Sequence, residues 1–272
     1  MQNQGQTDRG AAGEALNNWE KRFAAWWELN GDHSDGSHDL GHFQRVWKTA
    51  WHINREEGGR PEEGRGGLAS EGNAPIGRPG ENDRGERPEE NDRGGFASEG
   101  PADPLVLLTA AYFHDLVSLP KNHPQRREAS RLSAEKTALL LERDFPDFPR
   151  EKIPGVQHAI LAHSFSAGVK PLTAEARILQ DADRMEAIGA IGLARVFYTA
   201  GQLSQRLFDG RDPMATGREP DDQRYALDHF QVKLLKLPGL MNTAAGRRMA
   251  EANAEYLREF LRKIGGEIAG EY

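Results

Sequence analysis

The feature that most constrains the fold is a long internal segment with almost no large apolar side chains. Residues 55–103 consist mainly of Gly, Glu, Arg, Pro and Asn, and Leu68, Ile76 and Phe96 are the only large apolar residues among them. Within this segment RPEEGRGGLASEGNAP is echoed by RPEENDRGGFASEGPA. Such a composition buries too little apolar surface to offset the conformational entropy lost on ordering. We therefore predict that residues 55–103 form a disordered, low-complexity insertion that grew by duplication of a short unit.

Residues 1–54 and 104–272, on either side of this insertion, carry the apolar pattern of a helical protein. Near the C-terminus, Ala250, Ala254 and Leu257 keep the three- and four-residue spacing of an amphipathic helix. The same kind of pattern predicts helices over residues 125–144, 153–163, 173–200, 220–237 and 243–264. The apolar run LVLLTAAYFHDL predicts a buried helix or strand, and its alanines and helical neighbours favour a helix. Alternating strand patterns are absent. The sequence thus predicts one all-α domain interrupted by the insertion.

Composition excludes several classes of function. The chain has no cysteine, which rules out disulfides, thiolate metal sites and a cysteine nucleophile. Its net charge is −7 with both signs interspersed, so it lacks the basic surface of a nucleic-acid-binding protein. No apolar run reaches the roughly 20 residues needed to cross a membrane. The N-terminal sequence MQNQGQTDRGAAGEALNNW has no signal-peptide pattern, and we expect a cytoplasmic protein.

Histidines and carboxylates are placed where helices begin and end. His42 stands at the start of a predicted helix, and His114-Asp115 directly follows the apolar run LTAAYF. Taken alone, this pair is well explained by a helix that ends at His114 and a turn that begins at Asp115. Further along, Asp181 and Asp183 lie in the motif DADR. Imidazole and carboxylate groups without sulfur suit divalent ions such as Mn, Fe, Co, Ni, Zn or Mg.

Five blocks of the sequence, in this order, resemble one protein family. The blocks are SHDLGHFQRVWKTA, AAYFHDLVSLPKNHPQRREAS, HAILAHSFS, ILQDADRMEAIGAIGLARVF and LDHFQVKLLKLPGLMNTAAGRRMA. They are similar to the bacterial YedJ/YpgQ-like branch of the HD-domain superfamily of metal-dependent phosphohydrolases. Apart from the insertion and the first few residues, the resemblance covers the chain. It implies an HD-type helical bundle in which His42, His114, Asp115 and Asp183 hold one divalent metal ion.

We expect manganese at this site, with nickel, cobalt, iron, zinc and magnesium as alternatives. The resemblance matches Asp183 rather than Asp181 to the fourth ligand. Residues two apart on a helix do not share a face, so Asp181 is expected either to orient an imidazole or to lie in solvent. Asp115 is the candidate acceptor for the proton of an attacking water.

Phosphate groups require positive charge close to their oxygens. Lys121 is the candidate for this role, with Arg126 and Arg127 behind it in a basic turn. His158 and His163 lie about 140° apart around an ideal helix. We therefore expect only one of these two histidines to face the site, as a phosphate donor or as a ligand of a second metal. A position in the core or on the surface explains either histidine equally well.

The predicted partner is a small phosphorylated molecule, and the resemblance favours a nucleotide. Hydrolysis of a (d)NTP to a (d)NMP and pyrophosphate is the specific reaction that it implies. Two other functions remain open: a non-catalytic nucleotide-binding or regulatory module, and a di-iron HD-type oxygenase. The sequence contains no signal for the oligomeric state.

Overall fold

The computed structural model describes residues 4–31, 39–58, 101–119, 125–164 and 167–271. Within these ranges the chain forms nine α-helices and no strand, so the predicted all-α fold is confirmed. The helices are α1 (Gln4–Asn30), α2 (Leu40–Gly58), α3 (Pro104–Phe113), α4 (Ala129–Asp144), α5 (Ile153–His163), α6 (Ala174–Met185), α7 (Gly189–Gln202), α8 (Asp228–Val232) and α9 (Ala244–Ala269).

Most of the predicted insertion lies outside the described residues, namely residues 59–100. The two ends of the predicted insertion belong to helices that the structure describes. Helix α2 continues to Gly58, four residues into the segment assigned to the insertion by composition. On the other side, Asp103 caps α3 by accepting hydrogen bonds from the backbone N–H groups of Leu105 and Val106 at 2.9 and 3.2 Å. These contacts satisfy donors that every helix leaves free in its first turn.

Helix α3 is the centre of the larger hydrophobic core. Every residue from Val106 to Phe113 is buried, which matches the apolar run seen in the sequence. Helices α1, α2, α4, α5 and α6 all pack against it. Complete burial of a side chain such as Leu107 or Leu108 contributes about 1.5–3 kcal/mol relative to exposure. The core therefore fixes α3 and, with it, the residues at its C-terminal end.

Aromatic side chains attach α1 to this end of α3. The ring centroid of Phe23 lies 5.2 Å from that of Phe113, in an edge-to-face arrangement. Trp27 packs on Phe43 of α2 at 4.5 Å and donates from Nε1 to the carbonyl of Tyr112 at 2.9 Å. This hydrogen bond satisfies a carbonyl at the end of α3 that has no helical partner. The contacts hold the position at which His114 follows α3.

Two of the predicted helices are interrupted. The prediction of one helix over residues 173–200 is wrong, because the chain turns between α6 and α7. Gly189 has φ +71°, a left-handed conformation that side-chain-bearing residues rarely adopt. The predicted helix over residues 220–237 is also wrong, since α8 has only five residues. It is followed by a 3₁₀ segment, Leu234–Leu240, in which Pro238 lacks the N–H that an α-helix needs.

A second, smaller hydrophobic cluster joins the C-terminal elements to α6. Its buried side chains are Met185, Ile188, Leu227, Phe230, Leu234, Leu237, Met241, Ala250 and Leu257. Through these contacts α9 packs on α6, α7 and the 3₁₀ segment. None of the helices in the described ranges has the length and apolar character that a membrane crossing requires.

Candidate metal centre and active site

Five side chains from four helices meet at one end of the core. His42 comes from the first turn of α2, and Asp183 from the C-terminal part of α6. His114 caps the C-terminal end of α3 and is followed by Asp115, while His163 is the last residue of α5. The hydrophobic packing of α2, α3, α5 and α6 is therefore what brings these residues together.

The donor atoms of these side chains are close to one another. His42 Nε2 lies 3.3 Å from His114 Nε2. Asp183 Oδ1 lies 3.8 Å from His42 Nε2 and 3.7 Å from His114 Nε2. Asp115 Oδ2 is 3.6 Å from His114 Nε2, and Asp115 Oδ1 is 3.3 Å from His163 Nε2.

The Nδ1 nitrogen of each of the three imidazoles also has a hydrogen-bond partner, which for His42 is the Glu186 carboxylate. His114 Nδ1 lies 3.0 Å from the carbonyl oxygen of Ala111, and His163 Nδ1 lies 2.6 Å from that of Ile160. A carbonyl oxygen can only accept, so both Nδ1 atoms carry hydrogen and donate. The lone pair of each neutral ring is then on Nε2, the atom that faces the cluster.

Burial and neighbouring charges act in opposite directions on the titration of this cluster. His42 is 1% exposed, and burial lowers its pKa although the Glu186 carboxylate favours the charged ring. Burial also disfavours the charged form of His114, but the Asp115 and Asp183 carboxylates outweigh it and raise the pKa of His114 to about 9. For Asp183, burial is outweighed by His114, which lowers the pKa of the carboxyl.

The donor set fits a divalent metal ion. Two overlapping groups, His42 with His114 and Asp115, and His114 with His163 and Asp183, each place one ligand atom per residue within 4.8 Å of the others. Ligands at roughly 2.0–2.2 Å from an ion are about 3–3.5 Å apart when they are adjacent. The separations of 3.3–3.8 Å among His42, His114 and Asp183 are close to that value. Without an ion or a proton, two carboxylates beside buried imidazoles would be an unfavourable arrangement.

Asp181 and Asp183 have separate environments, as the helical spacing predicts. Asp183 lies beside His42 and His114. Asp181 is completely buried and accepts hydrogen bonds from the backbone N–H groups of Asn242 and Thr243, both at 2.8 Å. The expectation that Asp181 orients an imidazole or lies in solvent is therefore wrong. The reason is that α9 begins directly above it.

The remaining predicted site residues lie in different places. Lys121, together with residues 120–124, is outside the described residues. Arg126 and Arg127 are exposed in a short 3₁₀ turn before α4. His158 is half-buried, and its Nε2 accepts a hydrogen bond from the backbone N–H of Leu172 at 3.0 Å. Of the two histidines of α5, His163 is the one that the structure brings to the cluster.

Glu186 is a residue of the cluster that the sequence prediction missed. Its Oε2 lies 3.3 Å from His42 Nδ1, and Arg45 donates to the same carboxylate at 3.0 Å from Nε. Burial raises the pKa of Glu186, but His42 and Arg45 outweigh this effect and lower it. Glu186 lies three residues after Asp183, so helical spacing was the signal that could have placed it on the same face.

Comparison with known proteins agrees with this geometry. Residues 39–188 match the HD domain family, and the match includes every residue of the cluster. The chain belongs to the HD domain family, and its fold is that of the HD superfamily.

Individual relatives place the chain near one branch of that family. It is 32% identical over 173 residues to YpgQ of Bacillus subtilis, an uncharacterized protein, covering 62% of this chain and 75% of YpgQ. The crystal structure of B. subtilis YpgQ in complex with ADP has a TM-score of 0.57 and 24% identity, covering 93% of this chain and 96% of that one. An HD-superfamily hydrolase from Bacillus thuringiensis has a TM-score of 0.59 and 22% identity, covering 93% and 97%. The chain is thus similar to the YpgQ-like HD proteins, as its sequence blocks predict.

Proposed function

We propose that this protein hydrolyses phosphoester or phosphoanhydride bonds with one divalent metal ion. The observation that carries the proposal is the convergence of His42, His114 and Asp183, whose donor atoms lie 3.3–3.8 Å apart. Asp115 adds a second carboxylate at 3.6 Å from His114. Manganese is the ion that we favour, and nickel, cobalt, iron, zinc and magnesium are alternatives because nitrogen and oxygen donors discriminate weakly among them.

The four residues His42, His114, Asp115 and Asp183 would hold the ion, which when bound polarises a phosphoryl oxygen and makes a water molecule more acidic. Asp115 retains 23% exposure of its side chain, so a water molecule can reach its carboxylate. We assign to Asp115 the acceptance of the proton from the attacking water. His163 Nε2 lies 3.3 Å from Asp115 Oδ1, within reach of the same region. Because His163 Nδ1 donates to the carbonyl of Ile160, we propose that Nε2 donates to a phosphate oxygen in the form of the ring that carries both protons.

Further positive charge against the phosphates is assigned to Lys121, Arg126 and Arg127. Lys121 lies outside the described residues, and both arginines are exposed to solvent in the turn before α4. His158 is the weakest member of the predicted phosphate-binding set, because its Nε2 already accepts from Leu172. These assignments rest on the sequence and on the requirement of phosphoryl transfer for cationic partners.

A nucleotide is the substrate that we propose, and conversion of a (d)NTP to a (d)NMP and pyrophosphate is the specific reaction. The ADP bound to the related YpgQ supports a nucleotide as the chemical class. We further propose that residues 1–54 and 104–272 form one HD domain, that residues 55–103 are inserted into it, and that the protein acts in the cytoplasm.

The test is hydrolysis of a nucleotide panel by the metal-supplemented protein, with separate detection of phosphate and pyrophosphate. Pyrophosphate released from triphosphates is the expected result. Asp115→Asn and His114→Gln should remove turnover while the helical circular dichroism signal is kept. Absence of turnover with Mn²⁺, Ni²⁺, Co²⁺, Fe²⁺, Zn²⁺ and Mg²⁺ would overturn nucleotide hydrolysis and would leave a non-nucleotide phosphoester as the substrate, or binding without catalysis. If nucleotides still bound under those conditions, the protein would be a non-catalytic nucleotide-binding module.

A second candidate function is oxygen activation by two iron ions. The observation that favours it is the inward position of His163, since a second ion would need a ligand beyond the first four. Turnover of nucleotides by protein prepared without oxygen and loaded with Mn²⁺ separates the two functions. A hydrolase keeps its activity under these conditions, whereas an oxygenase loses all turnover.

A further inference from the structure

Glu186 lies against the buried ring of His42, outside the group of predicted metal ligands. Its Oε2 is 3.3 Å from His42 Nδ1, and Glu186 and His42 are 7% and 1% exposed. A carboxylate can only accept, so a neutral His42 in this position carries its hydrogen on Nδ1. The lone pair is then on Nε2, which is the atom beside His114 and Asp183.

The Nδ1 atom of His42 needs a side chain as its hydrogen-bond acceptor, whereas the Nδ1 atoms of His114 and His163 donate to backbone carbonyls. His114 and His163 stand at the C-terminal ends of α3 and α5, and each Nδ1 donates to the carbonyl three residues back, at Ala111 and Ile160. His42 lies in the first turn of α2. There the carbonyl three residues back belongs to Asp39, and it already accepts from the backbone N–H groups of His42 and Phe43 at 3.0 and 3.4 Å. An acceptor for His42 Nδ1 therefore has to come from another element, and Glu186 supplies it.

Two arginines hold the Glu186 carboxylate in place. Arg45 lies one turn after His42 on α2 and contacts both carboxylate oxygens, at 3.2 Å from Nε to Oε1 and 2.9 Å from Nη2 to Oε2. Arg195 of α7 places Nη1 3.8 Å from Oε2. Helix α2 thus carries both His42 and Arg45, the residue that orients the Glu186 carboxylate against His42. Such bidentate pairs restrict the direction of the carboxylate as well as its charge.

We propose that Glu186 is a positioning residue that fixes His42 with Nδ1 protonated and Nε2 directed at the metal ion, and that Arg45 holds Glu186 for this task. The inference rests on the proposed metal-dependent function, because it assigns a purpose to the orientation of one ligand. Partners of this kind fix the tautomer and direction of a ligating histidine in metal sites.

The test compares Glu186→Ala and Glu186→Gln with Glu175→Gln in the full chain. Glu175 is a matched control, since it is a buried glutamate in the first turn of α6 and accepts from the backbone N–H of Asp103 at 2.6 Å. Mn²⁺ affinity is measured by calorimetry without substrate. We expect Glu186→Ala to weaken Mn²⁺ binding about 10- to 100-fold. Glu186→Gln should have a smaller effect, because its amide oxygen still accepts from Nδ1, and Glu175→Gln should leave the affinity unchanged.

A second readout is the ¹⁵N NMR signal of the His42 ring in the ion-free protein at neutral pH. The wild type should show the tautomer with hydrogen on Nδ1, and Glu186→Ala should lose that preference. Arg45→Gln leaves Glu186 in place and should weaken Mn²⁺ binding less than Glu186→Ala does. If the Glu186→Ala variant does not fold, Arg45→Gln provides the test in its place. Wild-type affinity and an unchanged His42 tautomer in the Glu186 variants would overturn the proposal. Neither readout uses a nucleotide, so a failure of the proposed hydrolysis would be seen separately.

Discussion

Asp181 and Asp183, two residues apart on α6, serve opposite sides of the helix. Asp183 Oδ1 lies 3.7 Å from His114 Nε2 in the candidate metal centre. Asp181 Oδ2 accepts hydrogen bonds from the backbone N–H and the hydroxyl of Thr243, both at 2.8 Å, where α9 begins. One short motif therefore contributes a metal-site carboxylate and a structural anchor.

The same chemical change at these two positions should have different effects. Asp183→Asn removes a ligand, so Mn²⁺ binding should be lost. It also removes one of the two carboxylates beside His114, so the ion-free protein should lose some stability, but less than in Asp181→Asn. Asp181→Asn turns an accepting oxygen into a donor that faces the donors of Asn242 and Thr243, and should destabilise the fold by about 3 kcal/mol. Calorimetry with Mn²⁺ and urea denaturation measure the two quantities. Equal loss of ion binding in both variants would contradict the assignment of the ligand to Asp183.

The two histidines of α5 should differ in their effect on turnover. His163→Gln replaces the ring that faces Asp115 and should lower kcat about 100-fold or more, as loss of one hydrogen-bond donor to a transition-state oxygen does. His158→Gln affects a contact with the backbone of Leu172 and should leave kcat close to the wild-type value. Steady-state kinetics with a nucleoside triphosphate tests both variants side by side. An inactive His158 variant beside an active His163 variant would reverse the assignment.

Metal binding should depend on pH through His114. Asp115 and Asp183 raise the pKa of His114 to about 9 in the ion-free protein, and a ligating imidazole has to lose its proton. Between neutral pH and pH 9, binding of one ion should therefore release about one proton, and affinity should rise about tenfold per pH unit. Above this pKa the dependence should level off.

This dependence is measured by calorimetric titration with Mn²⁺ in buffers of different ionisation enthalpy. The number of protons released follows from the slope of the observed enthalpy against the ionisation enthalpy. We expect Mn²⁺ binding to release about one proton at pH 7 and none at pH 9.5. Zero release at pH 7 would show that His114 is already neutral there.

Two glycines should respond to alanine in opposite ways. A Cβ at Gly246 would lie 2.6 Å from Asp181 Oδ2 and 2.7 Å from Thr243 Oγ1, so Gly246→Ala should destabilise the fold by about 1–3 kcal/mol. A Cβ at Gly201, in the last turn of α7, meets nothing within 4 Å. Gly201→Ala should therefore stabilise the helix by roughly 0.5–1 kcal/mol. Thermal and urea unfolding compare the two, and a neutral Gly246→Ala would refute the close approach of α9 to Asp181.

Helical spacing and apolar content gave much of the fold in advance. The run that forms α3 is apolar at nearly every position, and a helix with that composition can only be central. The local apolar pattern predicted the wrong helix bounds where tertiary contacts determine the backbone conformation. The break at Gly189 arises from a left-handed residue. Helix α8 begins only at Asp228 because the backbone N–H groups of Ala226 and Leu227 donate to the carbonyls of Arg206 and Leu207.

For the site, the sequence by itself determined which residue types are available and where they stand relative to helix ends. His42, His114, Asp115 and Asp183 were identified in this way, because a family resemblance and the distribution of histidines both depend on order along the chain. It also determined that no thiolate takes part, since the chain has no cysteine.

Only the tertiary structure decided which neighbours each side chain meets. His158 and His163 are alternatives in the sequence, and the packing of α5 against α3 and α6 directs His163 toward Asp115. The partner of Asp181 comes from the start of α9, and the partner of Glu186 from α2, each far away in the chain. Such contacts depend on helix packing, which is set by the sum of many buried surfaces, and no short motif encodes it.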